Sequence, residues 1–199
     1  AVFRCDPGQS MNLWQQCQGA QHIKPIAGSM LRLVESQEQI ATLGYVDTLE
    51  EQALLETLLD DTKPNYPPHC QNLHYLLKTP FRYPPLKWGS RFGQVHEPGI
   101  FYGGSSVEVT LAEAAYYRLI FWDSMTGTPP KAQIQTAHTL FIVPYRSALG
   151  IQLQHPPFAS FVAEITDPGH YLHSQQLGKA MRSAGVEAFE YPSARDPAA

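Results

Sequence analysis

Gly99-Ile100-Phe101-Tyr102-Gly103, followed by Gly104-Ser105-Ser106 and then Thr110-Leu111-Ala112-Glu113, is the stretch on which the fold turns. Ile100 to Tyr102 reads as a short aromatic strand between glycines, and Thr110 to Trp122 as a helix rich in good helix formers. Outward from this pair, strand signals recur at Phe81 to Tyr83, Thr139 to Val143, Phe161 to Ile165 and Val186 to Tyr191. A second helix, His170 to Ala184, is closed by Gly185. Strands and helices do not alternate regularly enough for a doubly wound sheet, so the predicted class is α+β.

Toward the N-terminus the pattern changes. Ser36 to Tyr45 and Thr48 to Asp61 carry helix formers between turn-rich flanks, and Thr48 with Glu51 makes a capping-box pattern. Leu54, Leu55, Leu58 and Leu59 fall on one apolar stripe, which needs a partner: the rest of the chain, a second copy, or another protein. Lys63-Pro64-Asn65-Tyr66-Pro67-Pro68 then ends the helix, because consecutive prolines remove amide donors and push preceding residues out of helical geometry. The reading is an accessory helical segment over residues 1–75, docked on a catalytic domain over residues 76–199.

Composition bounds the function. A chain of 199 residues, 43% hydrophobic and 16% charged, can bury one substantial core. A formal charge of -4 and a pI near 6.0 give no basic footprint, so direct nucleic-acid binding has no electrostatic support. No apolar run is long enough to span a bilayer, and no basic segment precedes an apolar one at the start, so the expected setting is the cytoplasm. The odd set Cys5, Cys17 and Cys70 lacks CxxC spacing and suits reduced thiols, although Cys5 and Cys17 are free to pair. The sequence begins at Ala1 without a methionine, which leaves its natural start open.

The chemistry gathers between Pro80 and Glu113. Pro80-Phe81-Arg82-Tyr83-Pro84-Pro85 and Gly89-Ser90-Arg91-Phe92-Gly93 add two arginines and a tyrosine to Tyr102 and Glu113. Arginine forks can hold a diphosphate, tyrosine faces can stack on a planar cationic ring, and a carboxylate can steady positive charge developing on a sugar. Each residue also has a plainer role. Glu113 fits the third position of a capping box begun by Thr110, Tyr83 and Tyr102 fit half-buried strand positions, and the arginines fit surface ion pairs. Taken singly, none of these residues decides between the two readings; what they have is a fixed order, with Arg91 eleven positions before Tyr102 and Tyr102 eleven before Glu113.

In that order and spacing the stretch resembles the RES domain, named for its arginine, glutamate and serine. Arg82-Tyr83 resembles the family's first arginine with its tyrosine, Arg91 the second arginine, and Glu190-Tyr191-Pro192-Ser193-Ala194-Arg195 the strand-end segment that supplies the serine. The resemblance covers roughly Leu76 to Pro197. It implies an ADP-ribosyltransferase-like split β-sheet around an NAD⁺ cleft, with NAD⁺ as substrate and no metal. It also implies a toxin of a toxin–antitoxin pair, neutralised by an Xre-type helix-turn-helix antitoxin, which destroys NAD⁺ by phosphorolysis or hydrolysis or transfers ADP-ribose to a protein. Arg82, Tyr83, Arg91, Tyr102 and Ser193 would bind NAD⁺, with Glu113, Arg82 and Tyr102 catalytic. Family members run on into a final hydrophobic strand, whereas this sequence stops at Ala199, so the domain is expected to lack that strand.

Weaker signals stay open. The Gly103 to Ser106 run can cradle phosphate but lacks a P-loop lysine and Rossmann spacing. His69-Cys70 with His74 has no second pair of metal-type ligands, so a loop or core role outweighs a metal. His138, His155, His170 and His173 form no usable pattern. Two other functions compete with an NAD⁺-consuming enzyme: a non-catalytic RES-like subunit that binds an antitoxin, and a glycosidase, for which Glu113 has no evident second carboxylate. A homodimer is also open, as is the identity of the attacking group, whether water, phosphate or a protein side chain.

Overall fold

The computed structural model describes residues 12–36, 45–83, 87, 89–127, 133 and 135–195. The fold is α+β, as the sequence predicts: the described residues form helices and a sheet of three strands in the order β1-β2-β3. These are β1 (Lys24–Glu35), β2 (His138–Gln152) and β3 (Ala188–Glu190). β3 runs parallel to β2, with Gly150, Ile151 and Gln152 opposite Ala188, Phe189 and Glu190. The helices are α1 (Leu13–Gln16), α2 (Leu49–Asp61), α3 (Tyr75–Arg82), α4 (Val107–Asp123), α5 (Val162–Ile165) and α6 (Leu172–Ser183).

The chain divides into two compact units. The first comprises Ala1–Met30, Pro85–Glu97 and Val143–Ala199; the second comprises Leu31–Pro84 and Pro98–Ile142. Each unit thus draws on residues from both sides of position 75.

In the first unit α6 is the organising helix. Ser174, Leu177, Gly178 and Met181 recur at helical spacing and are buried, and α1 and α5 pack against this helix. Its end is a Schellman turn, in which Gly185, at φ +79°, donates to Arg182 O (2.9 Å) and Val186 donates to Met181 O (3.0 Å). Phe92, Phe158, Ile151, Leu153 and Ile165 complete the core. The buried Phe158 and Ile165 lie two helical turns apart, on a 3₁₀ turn (Phe158–Phe161) that runs into α5. The strand expected at Phe161 to Ile165 is therefore helical, because its apolar residues repeat every three or four positions and not every two.

In the second unit α2 carries the expected capping box: Thr48 Oγ1 accepts from Glu51 N at 3.1 Å and Glu51 Oε2 accepts from Thr48 N at 3.3 Å. The strand expected at Phe81 to Tyr83 is instead the last turn of α3, which His74 Nδ1 caps by accepting from Leu76 N. Among the described residues Ile100 to Tyr102 pairs with no strand. The contact forms two residues later, where Leu31 and Gly104 exchange backbone hydrogen bonds of 2.8 Å.

The largest departure from expectation lies before residue 75, where β1 is a twelve-residue strand and not part of a helical segment. Lys24-Pro25-Ile26-Ala27-Gly28-Ser29 holds a proline and a glycine, both disfavoured inside strands. Packing overrides that preference: Ile26 closes on the bare Cα of Gly150, and the Tyr145 ring lies over Gly28. The helix expected at Ser36 to Tyr45 falls almost wholly outside the described residues. Among the described residues no helix is long and apolar enough to cross a membrane.

Candidate active site

In the second unit the Leu31–Gly104 bridge is the reference point. Next to it on β1, Arg32 donates from Nη1 to Tyr102 O at 2.6 Å and lays its guanidinium 4.7 Å from the Phe101 ring centroid. Arg32 Nε is buried and has no hydrogen-bond partner, and among the described residues no carboxylate pairs with this side chain. Burial pulls its pKa below the ordinary arginine range. The side chain as a whole is half-buried, so the cost falls on the one buried donor, and an anionic group reaching it would remove that cost. Nothing in the local sequence, Met30-Leu31-Arg32-Leu33, marks this arginine out, and the sequence reading passed over it.

Helix α4 is fixed to the same bridge. Ser106 is its N-cap, accepting from Val109 N, and Thr110 Oγ1 donates to Ser106 O (2.7 Å) and reaches Leu31 O (3.5 Å). Gly104 has no room for a side chain because Thr110 presses against it. One turn beyond Thr110, on the same side of the helix, stands Glu113, half-buried. With Ser106 as the cap, Glu113 lies in the second turn, so it has no capping-box role to fill. Further along, Arg118 pairs with Glu35 at 3.3 Å, tying the helix again to β1.

Arg82 lies at the end of α3 with its fork filled. Nη1 donates to Asp60 Oδ1 at 2.8 Å, Nε donates to Pro64 O, and the guanidinium sits 4.4 Å over the Tyr66 ring. Hydrogen bonding to Arg82 is the main reason the Asp60 carboxyl titrates below its ordinary range. Its neighbour Phe81 stacks on Phe101, the ring that carries Arg32. Tyr83 is exposed. Cys70 is a buried free thiol, as is Cys17 of the first unit; the His69 ring meets Phe81, and His74 serves as a cap.

Arg91 and the serine segment belong to the first unit. Arg91 is buried: Nη1 donates to Asp167 O (2.9 Å) and Ile165 O (3.3 Å), and its guanidinium rests 4.9 Å over Tyr171. Beside it Phe92 packs on Tyr191, which brings the Arg91 turn next to the segment holding Ser193, whose Oγ accepts from Arg195 N.

Glu190, which ends β3, receives three neutral donors: Tyr145 OH (2.7 Å), Gln152 Nε2 (2.8 Å) and Gln154 Nε2 (2.7 Å). Burial alone would raise its pKa, but these hydrogen bonds outweigh burial and hold it below the ordinary carboxylate range. Burial and the Glu190 charge push Tyr145 up to about 12. The folded-state value of Tyr145 exceeds the unfolded one, so its contribution to stability is complete below the unfolded value and disappears as pH rises toward 12. Urea unfolding should show wild-type stability declining between about pH 10 and 12, and Tyr145→Phe should remove that part of the decline.

A family model for the RES domain matches residues 66–199. The chain belongs to the RES domain family. No curated protein matches it. The match begins ten residues before the Leu76 start read from the sequence, in the Tyr66 segment on which Arg82 rests. Of the residues that the resemblance singles out, Tyr102 and Glu113 share the frame of the Leu31–Gly104 bridge, and Arg91 and the Ser193 segment share the Phe92 contact.

Proposed function

We propose that this RES domain protein cleaves the bond between ribose and nicotinamide in NAD⁺ and acts as the toxin of a toxin–antitoxin pair, held in check by an Xre-type antitoxin. The observation that carries the chemistry is the half-buried Arg32 guanidinium, its buried Nε without a hydrogen-bond partner and no described carboxylate paired with it, beside the bridge that also fixes the helix of Glu113. Such a cation suits the diphosphate of a dinucleotide, and Arg32 takes the ligand-binding role that resemblance gives to Arg82. Arg82, engaged by Asp60, Pro64 and Tyr66, is a positioning residue that seats α3, and through Phe81 it supports Phe101.

In this mechanism the Tyr102 ring frames the nicotinamide. Glu113 accepts from a ribose hydroxyl and steadies the positive charge that builds on the sugar as the glycosidic bond lengthens. The departing nicotinamide takes the bonding electron pair and becomes neutral. Water, phosphate or a side chain of a target protein then attacks the ribose carbon.

Incubation with NAD⁺, with and without phosphate, and mass analysis of the products tests the proposal. Free nicotinamide is expected, accompanied by ADP-ribose, its 1-phosphate, or a modified protein; intact NAD⁺ in every case would overturn it. Arg32→Lys separates the two arginines, because an ammonium cannot reproduce the fork. It should weaken NAD⁺ binding measured by calorimetry, whereas Arg82→Lys should lower the melting temperature and leave NAD⁺ binding largely intact. The reverse pattern would return the substrate to Arg82.

A further inference from the structure

Helix α2 is a thirteen-residue helix in which one residue, Gln52, is buried. At roughly 100° per residue, Leu54 points nearly opposite Gln52, and Leu58 follows it one turn later. Leu55 and Leu59 lie between the two directions. Exposure extends around most of the helix, Leu49 and Leu59 included, and Leu54 at 61% and Leu58 at 55% are the adjacent open pair on the side away from Gln52. A helix of this length is marginal in water by itself, and two adjacent exposed leucines add nothing to its stability.

The charges around the open leucines have one sign. The helix carries Glu50, Glu51, Glu56, Asp60 and Asp61 and no basic residue. Glu50, Glu51 and Asp61 fall on either side of the Leu54–Leu58 line. Among the described residues, Lys63 and Arg82 are engaged on Asp60 and Lys78 over the Tyr66 ring, all toward the C-terminal end of the helix. A second copy of the chain would set this acidic rim against itself, and like-charge juxtaposition works against self-pairing. A basic rim around apolar side chains fits it.

We infer that the outer face of α2 docks a partner protein through a basic amphipathic helix, whose apolar side chains cover Leu54 and Leu58 and whose lysines or arginines meet Glu50, Glu51 and Asp61. The inference rests on helix geometry and charge and does not depend on the NAD⁺ chemistry.

Two synthetic helical peptides test it on the full chain. Both carry leucines at i, i+3, i+4 and i+7, one with lysine flanks and one with glutamate flanks. Fluorescence anisotropy should show the lysine peptide binding, more weakly as salt rises, and the glutamate peptide not binding. Leu54→Ser/Leu58→Ser and Glu50→Lys/Asp61→Lys should each weaken the lysine peptide by about tenfold or more. Both double variants should melt with the parent, since they alter an open face. Equal binding of the two peptides, no binding of either, or unchanged binding by the leucine variant would overturn the inference. So would a large drop in the leucine variant's melting temperature, which would make these side chains internal packing. Sedimentation velocity closes the remaining route: a dimer of the protein alone that the leucine variant dissolves would assign the face to a second copy.

Discussion

Glu113→Gln should fold as the parent does and release nicotinamide roughly 10²- to 10³-fold more slowly, the scale of about 3 to 4 kcal/mol expected for one preorganised electrostatic contact. The amide keeps the shape and the ability to accept from a ribose hydroxyl, but it cannot answer positive charge on the sugar. The structure sharpens this expectation. Had Glu113 closed a capping box with Thr110, Gln would replace it well, since glutamine serves at that position too. Ser106 is the cap instead, and Thr110 faces Leu31 and Gly104, so helix α4 has no need of a carboxylate at 113 for its start. A melting temperature equal to wild type, with turnover also unchanged, would remove Glu113 from the reaction. Because the substitution removes charge stabilisation specific to the transition state, kcat should fall with little change in KM.

What the sequence made legible were features whose cause is local. The capping box at Thr48 and Glu51, the α4 helix and the Gly185 stop on α6 each depend on residues within one or two turns; the box and the stop are where the sequence places them, and α4 is present but starts three residues before the expected Thr110, at Val107. Strand β1 was illegible because its warrant is distant. Gly28 and Gly150 are the contact points at which Tyr145 and Ile26 close on the sheet, and a glycine read alone signals a turn. The same reasoning applies to the site. Spacing picked out Tyr102 and Glu113, but it could not show that Arg82 is filled by Asp60 from 22 positions away, or that Arg32 reaches Tyr102 from 70 positions away. Which arginine retains unsatisfied donors is a property of packing, and one sequence without an alignment holds no sign of it.

Phe92→Ala should be the most damaging core substitution in the first unit, costing about 3 to 5 kcal/mol. Phe92 is 0% exposed, and its ring lies 4.9 Å from Phe189 and 4.8 Å from Tyr191, ring centre to centre. Its backbone carbonyl also meets Gly178, the bare Cα that lets α6 pass this close. One side chain therefore joins the turn that carries Arg91, strand β3 and the segment leading to Ser193. The surrounding groups are anchored independently: Arg91 on Ile165 O and Asp167 O, Gln175 on Ser90 O, and β3 on β2. They cannot collapse freely into the space left by the ring, so most of the cavity should persist, and that persistence puts the cost at the upper end. For a chain of this size each kcal/mol lowers the melting temperature by about 2 to 4 °C. Calorimetry should accordingly register a fall on the order of 10 °C, and amide exchange at Ala188 to Glu190 should quicken more than exchange in α2. Phe92→Leu should recover part of the loss by refilling the volume. A Phe92→Ala protein that melts with the parent would mean the ring is not the packing centre of this unit, and the neighbourhood of Arg91 and Ser193 would need another anchor.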